Sequence, residues 1–307
     1  MDNNIEKSCV EFSTSQMLKW MEYVADMQGV TPEKIKLLNT CGKRRNVLAT
    51  IATHKRILIF ADETHPNMLY KCWEAGYGDY EMYFGKGYEP GEMKHCKVSD
   101  MMGDELSGPT VIFIVNENTR ESMIFGIKNE NFSSGTVKYV GHEIRSVIMN
   151  KLELDVSDTA LIVSGESIVI EASMVAYEGV IIAAERDAGS LRSMEENVSK
   201  FGVHNVEIVS DLKVETLEKL PVPRIAFIVA TKQDIESDIV NLLKINPNIK
   251  IIVYTLELDI LADIKYLMKK HGVNVTEVMQ ISVSKTDKNS IFVAQPSPWM
   301  ITGEVTQ

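Results

Sequence analysis

The four cysteines of this chain, Cys9, Cys41, Cys72 and Cys96, never come within CxxC spacing. That excludes the paired-cysteine zinc and redox motifs and argues for reduced thiols rather than a disulfide scaffold. His95 and Cys96 are adjacent, but no second pair completes a metal site, so no metal is expected. No apolar run approaches the roughly 18 residues needed to span a bilayer. The opening MDNNIEKSCVEF has no apolar signal core, so a soluble, cytoplasmic protein is expected. Basic charge is also short. The 32 Lys and Arg stand against 43 Asp and Glu, a net charge of −11. Nucleic-acid binding rests on neutralising phosphates with cations, so neither nucleic acid nor an anionic membrane surface is an expected partner. Glycine is scarce where a nucleotide loop would need it, a point that recurs below.

What is present is a pattern of alternating elements. At roughly 100–200 residues per domain, 307 residues suggest two domains. In the first block, Ser13-Thr14-Ser15 can cap a helix in which Met17, Trp20, Met21, Val24 and Met27 recur at helical spacing. Gly29 ends it. The apolar runs 56–61 (RILIFA) and 110–115 (TVIFIV) read as buried strands, with 81–84 as another. The stretch 116–135 lacks periodicity and is the expected linker, with the boundary near Ser134, giving domains 1–133 and 134–307.

The second block places strand-like runs at 159–163, 180–185, 206–211, 224–230, 250–256, 275–285 and 290–295, with helical segments between the first five. Leu191, Met194, Val198 and Phe201 share one helical face, as do Ile260, Leu261, Ile264, Leu267 and Met268. Strands alternating with helices predict βαβ units and a mainly parallel sheet. The last two runs have no helix between them and should form an antiparallel hairpin at the sheet edge.

In such a sheet the ligand lies beyond the carboxyl ends of the strands, at the switch point. Three strand ends therefore matter. The first is Val163-Ser164-Gly165-Glu166-Ser167. A nucleotide loop needs glycines so that the backbone can turn tightly and approach the ligand, and this one has only Gly165. The second is Glu185, followed by Arg186. An acid about 20 residues past such a loop is placed to accept hydrogen bonds from ribose hydroxyls. The third is Asp211, where an acid could meet an adenine amino group.

These residues carry a family resemblance. Glu143-Ile144-Arg145, Lys151-Leu152-Glu153-Leu154, Ile170-Glu171-Ala172, Ala184-Glu185-Arg186-Asp187, Asn197, Phe201 through Val206, Thr255-Leu256-Glu257, Gln280 through Ser284 and Ala294-Gln295-Pro296 stand in the order and spacing of the decarboxylating precorrin methyltransferases. Ser13 through Gln16, Ala75 through Asp79 and Gly85 through Glu92 resemble the C-terminal half of the tetrapyrrole methylase partner enzyme, and Phe125-Gly126-Ile127 through Phe132 the joint where the two are fused. The chain as a whole thus resembles the bifunctional precorrin-6Y C5,15-methyltransferase family, without a counterpart of the first enzyme's first half.

The resemblance implies a class I S-adenosylmethionine methyltransferase-like Rossmann domain with a seven-stranded sheet and an antiparallel edge hairpin. It implies an N-terminal α/β half-domain like the tetrapyrrole methylase C-terminal half. S-adenosylmethionine is then the cofactor, held by Ser164, Gly165, Glu166, Glu185, Arg186 and Asp211. A tetrapyrrole or other small molecule is the substrate, near Ala230 and Thr231, and the protein assembles as a homo-oligomer.

The departures are local. Ile162 stands where the family has an acid. The loop between Asp158 and Glu171 is about two residues short. The family's glycine-rich stretch after strand four is here Val229-Ala230-Thr231-Lys232-Gln233. Three functions stay open: a precorrin methyltransferase that also decarboxylates, a non-catalytic binding or assembly subunit on the same scaffold, and a methyltransferase turned to another small acceptor. No acid–base residue is assigned.

Overall fold

The computed structural model describes residues 11–42, 46–119, 126–133, 140–230, 232 and 234–305. The chain divides into two compact units, Met1–Ser122 and Met123–Gln307. The expected boundary at Ser134 lies outside the described residues.

The first unit opens with helix α1 (Thr14–Gln28). Its start is a capping box: the Ser13 hydroxyl accepts from the Gln16 amide at 3.3 Å, and the Gln16 side chain accepts from the Ser13 amide at 2.8 Å. Gly29 closes it in the left-handed conformation, φ 60°. Then follow β1 (Lys36–Asn39), α2 (Val47–Thr53), β2 (Arg56–Ala61), α3 (Met68–Cys72), β3 (Glu81–Lys86), β4 (Lys94–Lys97) and β5 (Thr110–Val115). The sheet order is β1-β2-β5-β3-β4, with β1 parallel to β2 and the other pairs antiparallel. The two apolar runs, β2 and β5, lie side by side in its middle and are buried on both faces, which explains why they do not alternate. Trp20 and Val24 pack on one face with Phe60 and Phe113.

The second unit runs α4 (His142–Leu152), β6 (Thr159–Val163), α5 (Glu166–Val175), β7 (Val180–Ala184), α6 (Ala188–Phe201), β8 (Val206–Val209), α7 (Val214–Leu217), β9 (Ile225–Val229), α8 (Ile235–Ile245), β10 (Lys250–Thr255), α9 (Leu258–Lys270), β11 (Val273–Gln280), β12 (Ser284–Thr286), β13 (Phe292–Ala294) and β14 (Trp299–Val305). Its seven-stranded sheet has the order β11-β14-β10-β9-β6-β7-β8. The five strands from β6 to β10 are parallel, and β14 enters antiparallel between β10 and β11. This is the expected α/β Rossmann-like methyltransferase fold.

Side-chain alternation divides its core into two layers. Ala160, Ile162, Ile181, Ala183 and Phe227 face α4, α5 and α6, whereas Leu161, Val163, Ile182, Ile228 and Val253 face α7, α8 and α9. The chain turns from β6 toward β7 and β8 on one side and continues with β9 and β10 on the other. The switch point therefore lies between β6 and β9.

The last strand differs from the sequence expectation. Residues 290–295 do not enter the sheet. Phe292–Ala294 pairs with Ser284–Thr286 in a separate two-stranded hairpin, and the place in the sheet belongs to Trp299–Val305. The physical reason is burial. Successive residues of β14 face the two core layers of the sheet, and Met300 and Ile301 are 2% and 0% exposed, whereas Phe292 and Val293 are 77% and 51% exposed. Both stretches read as β from composition, and only the sheet's demand for a doubly covered strand separates them.

That assignment predicts unequal responses to charge. Ile301→Asp buries an unpaired carboxylate and is expected to abolish cooperative unfolding of the second unit, while Val293→Asp should change stability by no more than about 0.5 kcal/mol. Urea denaturation monitored by circular dichroism distinguishes them. Equal losses would contradict the strand placement.

Candidate functional site

The loop after β6 lies at the switch point. Ser164, not the glycine, takes the left-handed conformation there, φ 53°. For a residue with a Cβ this costs about 1–2 kcal/mol. The Ser164 amide is held by the Ala184 carbonyl at 3.0 Å. Gly165 has φ −128°, which any residue adopts, and its need for glycine is steric. A Cβ at that position would lie 2.7 Å from Cγ2 of Ile162, a fully buried β-branched side chain with little freedom to yield. The surviving glycine thus lets α5 pack closely on the sheet. Its carbonyl accepts from the Ile168 and Val169 amides at 2.8 and 2.9 Å and starts the helix.

Glu166 is the first residue of α5 and is 5% exposed. Its Oε2 accepts a 2.7 Å hydrogen bond from the Ser193 hydroxyl on α6. Glu185 follows β7 and is also 5% exposed. Its Oε1 accepts from the backbone amides of Arg186 (2.9 Å) and Asp187 (3.0 Å), so the loop itself fixes the carboxylate. Asp187 then caps α6 through the Ser190 amide.

Ser164, Gly165, Glu166 and Glu185 meet on one cavity of about 460 Å³, together with Asn129, Val140, Gly141, Ile144, Ser167, Val229, Tyr254, Leu256, Gln295 and Pro296. Among the described residues no Lys, Arg or His lines it. Burial raises the Tyr254 pKa, so its phenol stays protonated at neutral pH. No cluster of metal-ligating side chains occurs among the described residues.

The other expected site residues stand elsewhere. Arg186 reaches Asp238 at 2.5 Å and Asp234 at 3.5 Å, tying the end of β7 to the start of α8. Burial, opposed by Arg186, leaves the Asp238 carboxyl above its ordinary pKa. Asp211 accepts from the Lys213 amide (3.0 Å) and the Thr216 hydroxyl (2.8 Å), which hold its pKa down, and it is not part of the cavity lining. Ala230 is a core residue whose amide bonds the Tyr254 carbonyl at 3.0 Å, and its neighbour Val229 lines the cavity instead. Thr231 lies outside the described residues.

One wall of the cavity hangs on a buried ion pair. Arg145 on α4 is fully buried, and its Nε donates to Glu171 Oε1 of α5 at 2.6 Å. The same guanidinium donates to the Asn129 side chain and the Val140 carbonyl, both at 3.2 Å, and to the Ile127 carbonyl. It also stacks over Phe132, 5.0 Å from the ring centre. Glu171 in turn accepts from the amides of Gly126 (3.2 Å) and Ile127 (2.9 Å). The pair therefore fixes 126–133 against α4 and α5, with cavity residues Asn129, Val140, Gly141 and Ile144 around it.

Sequence reasoning followed strand ends one to four and stopped there. Tyr254 and Leu256 at the end of β10 follow the same rule applied once more. Gln295 and Pro296 lay in a segment of family resemblance without a role. Asn129 precedes the first strand, and no strand-end signal points to it.

Residues 140–306 match the model of the precorrin methyltransferase domain. The chain belongs to that family. The structure of a precorrin-6Y C5,15-methyltransferase from Geobacter metallireducens is 26% identical to it, with a TM-score of 0.55 over 60% of this chain and all of that one. Two more distant structures show the same fold. They are a precorrin-8w decarboxylase from Methanobacterium thermoautotrophicum (19% identity, TM-score 0.52, 58% of this chain, 100% of that one) and the C-terminal domain of precorrin-6Y C5,15-methyltransferase from Rhodobacter capsulatus (15%, 0.50, 60% and 99%). A search of curated proteins gave no match.

Removing one member of the buried pair leaves the other charged and unsatisfied. Arg145→Met should destabilise the second unit by about 3–5 kcal/mol, and adding Glu171→Leu should restore much of it. Chemical denaturation of the single and double variants checks this; additive losses would show that the two residues do not act as a pair.

Proposed function

We propose that the cavity at the β6/β9 switch point is an adenosyl-nucleoside pocket and that the protein is a precorrin-type methyltransferase, methylating a tetrapyrrole precursor with decarboxylation. The observation that carries this reading is the meeting of the post-β6 loop with Glu185 on one cavity at the carboxyl ends of the strands. Glu185 is the ribose partner. Its Oε1 is occupied by two amides, and the second carboxylate oxygen is left to accept from ligand hydroxyls. When bound, S-adenosylmethionine supplies a methyl group already activated on a sulfonium. The protein's part is then positioning more than proton transfer, which accords with the absence of any His or Lys from the described lining. The fit is partial. The nucleoside end matches, but the backbone cradle is reduced to Ser164 and Gly165, and Glu166 stands at the helix end.

This reduced cradle favours a second reading, a binding or assembly subunit on the methyltransferase scaffold. Retargeting to another small acceptor has no comparable support: Lys232 after β9, which could reshape the pocket, is engaged by Asp259 at 2.8 Å. We further assign the first unit to the C-terminal half of the tetrapyrrole methylase type, as in the bifunctional enzyme.

The protein is also proposed to be a homo-oligomer, on the grounds that Ile291, Phe292 and Val293 expose a continuous apolar strip on the β12–β13 hairpin. Light scattering should give a multiple of 34.5 kDa; the mass of one chain would refute this.

The nucleoside assignment is tested by calorimetry with 5′-methylthioadenosine. Glu185→Ala removes a charge-assisted acceptor and is expected to weaken binding by about 10–100-fold. Unchanged affinity in the folded variant would move the ribose elsewhere, and an absence of heat with the unaltered protein at millimolar nucleoside would sink the assignment.

A further inference from the structure

The cavity at the switch point has a closed end and an open end. Gly165, Ser167 and Glu185 line the closed end and are buried. Leu256 and Pro296 line the open end, and both are exposed. Tyr254 belongs to the open end. It stands on β10 two residues before Leu256, and its register partner on β9 is Val229, another lining residue. Three strand spacings separate β10 from β7, about 14 Å. Tyr254 and Glu185 therefore meet different parts of what the cavity holds.

Tyr254 is 8% exposed, and its ring packs with Phe227, 6.1 Å between ring centres. Its hydroxyl makes no hydrogen bond among the described residues. A polar group placed so deeply is normally paired. Burial keeps the phenol protonated at neutral pH, so it is available as a donor. The other polar side chains of the open end offer less. Asn129 is committed to Arg145 and Val140, and Gln295 is only partly buried. No Lys, Arg or His lines the cavity among the described residues. Tyr254 is the deeply buried donor left over at the end where a second ligand enters.

The methyltransferase reading has the acceptor give up a carboxyl group, so a carboxylate enters with it. When the group leaves as carbon dioxide, the electrons of the broken carbon–carbon bond stay behind on the acceptor. They are delocalised only where the carbon that carried the group is bonded directly to the conjugated ring, which makes the side chain a carboxymethyl group. A cation at the carboxylate would hold the starting state more firmly than the transition state, whereas a neutral donor orients it with less opposition. Resting on that reading, we propose that the open end is the acceptor's place and that the Tyr254 hydroxyl donates to the carboxylate of the acceptor's carboxymethyl side chain. Leu256 and Pro296 meet the apolar ring system at the mouth.

Fluorescence titration of the full chain at pH 7 with two probes tests this. Uroporphyrin III carries carboxymethyl side chains, and coproporphyrin III has methyl groups in their place. The unaltered protein is expected to bind uroporphyrin III at least about 10-fold more tightly. Tyr254→Phe keeps the ring against Phe227 and should bring the two affinities within about threefold, with its thermal transition and its affinity for 5′-methylthioadenosine unchanged. The extra charge of uroporphyrin III acts on both proteins alike and cancels in that comparison. Equal binding of the two porphyrins by the unaltered protein, or binding of neither, would overturn the proposal. A preference that survives in folded Tyr254→Phe would do the same. Calorimetry with 5′-methylthioadenosine reports separately on the nucleoside assignment, so loss of the acceptor site leaves that assignment standing.

Discussion

The Arg145–Glu171 pair is the constraint on which the cavity of the second unit depends. Both groups are almost wholly buried, and in isolation each would be costly to desolvate. What offsets that cost is a dense set of hydrogen bonds to both groups. The guanidinium meets a carboxylate, two carbonyls and an amide oxygen, and the carboxylate also collects two backbone amides. Such a pair adds little net stability over an apolar replacement, but it specifies one arrangement: 126–133 has no regular sheet or long helix to satisfy its backbone, and the ion pair supplies those partners instead. Without it the cavity would lose the placement of Asn129 and Val140.

Two requirements that usually coincide in a nucleotide loop are separated in this protein. A glycine there can serve the fold, by allowing the helix close to the sheet, or the ligand, by freeing the backbone to turn and approach. Gly165 serves the fold, since its φ is ordinary and its missing Cβ makes room for Ile162. The turn itself is made by Ser164 at some conformational cost. A loop poor in glycine leaves the hydrophobic layers of the sheet intact, because those layers are built from the strands and helices and not from the loop.

Much of the fold was legible because its signals are redundant. A parallel strand followed by a helix repeats five times, and an error in one element is corrected by its neighbours. Where a single local signal had to decide, it failed. Phe292–Ala294 and Trp299–Val305 have similar β character, and only the core layers on both faces of the place between β10 and β11 select the second. In the first unit, β1 and β4 escaped notice because half-covered edge strands such as KLLN and KHCK carry no apolar run. The site was legible to the extent that it obeys the strand-end rule. Ser164, Gly165, Glu166 and Glu185 line one cavity. Arg186 and Asp211, equally placed in sequence, do not, because each found a partner outside the cavity.

Three acids at the same end of the sheet show why residue type alone could not settle their roles. Asp211 is drawn into its own turn by the Lys213 amide and the Thr216 hydroxyl, and being on the open side of β8 it loses little by staying solvated. Glu185 is anchored by one oxygen and buried, so that what remains of its carboxylate is directed by its loop. Glu166 is the first residue of α5 and is held by Ser193 on the neighbouring helix. The difference lies in what each carboxylate's first hydrogen bond leaves over. A site whose two buried acids are both pre-oriented by the protein has its electrostatics set before any ligand enters, and a ligand must match that field as well as the shape of the recess.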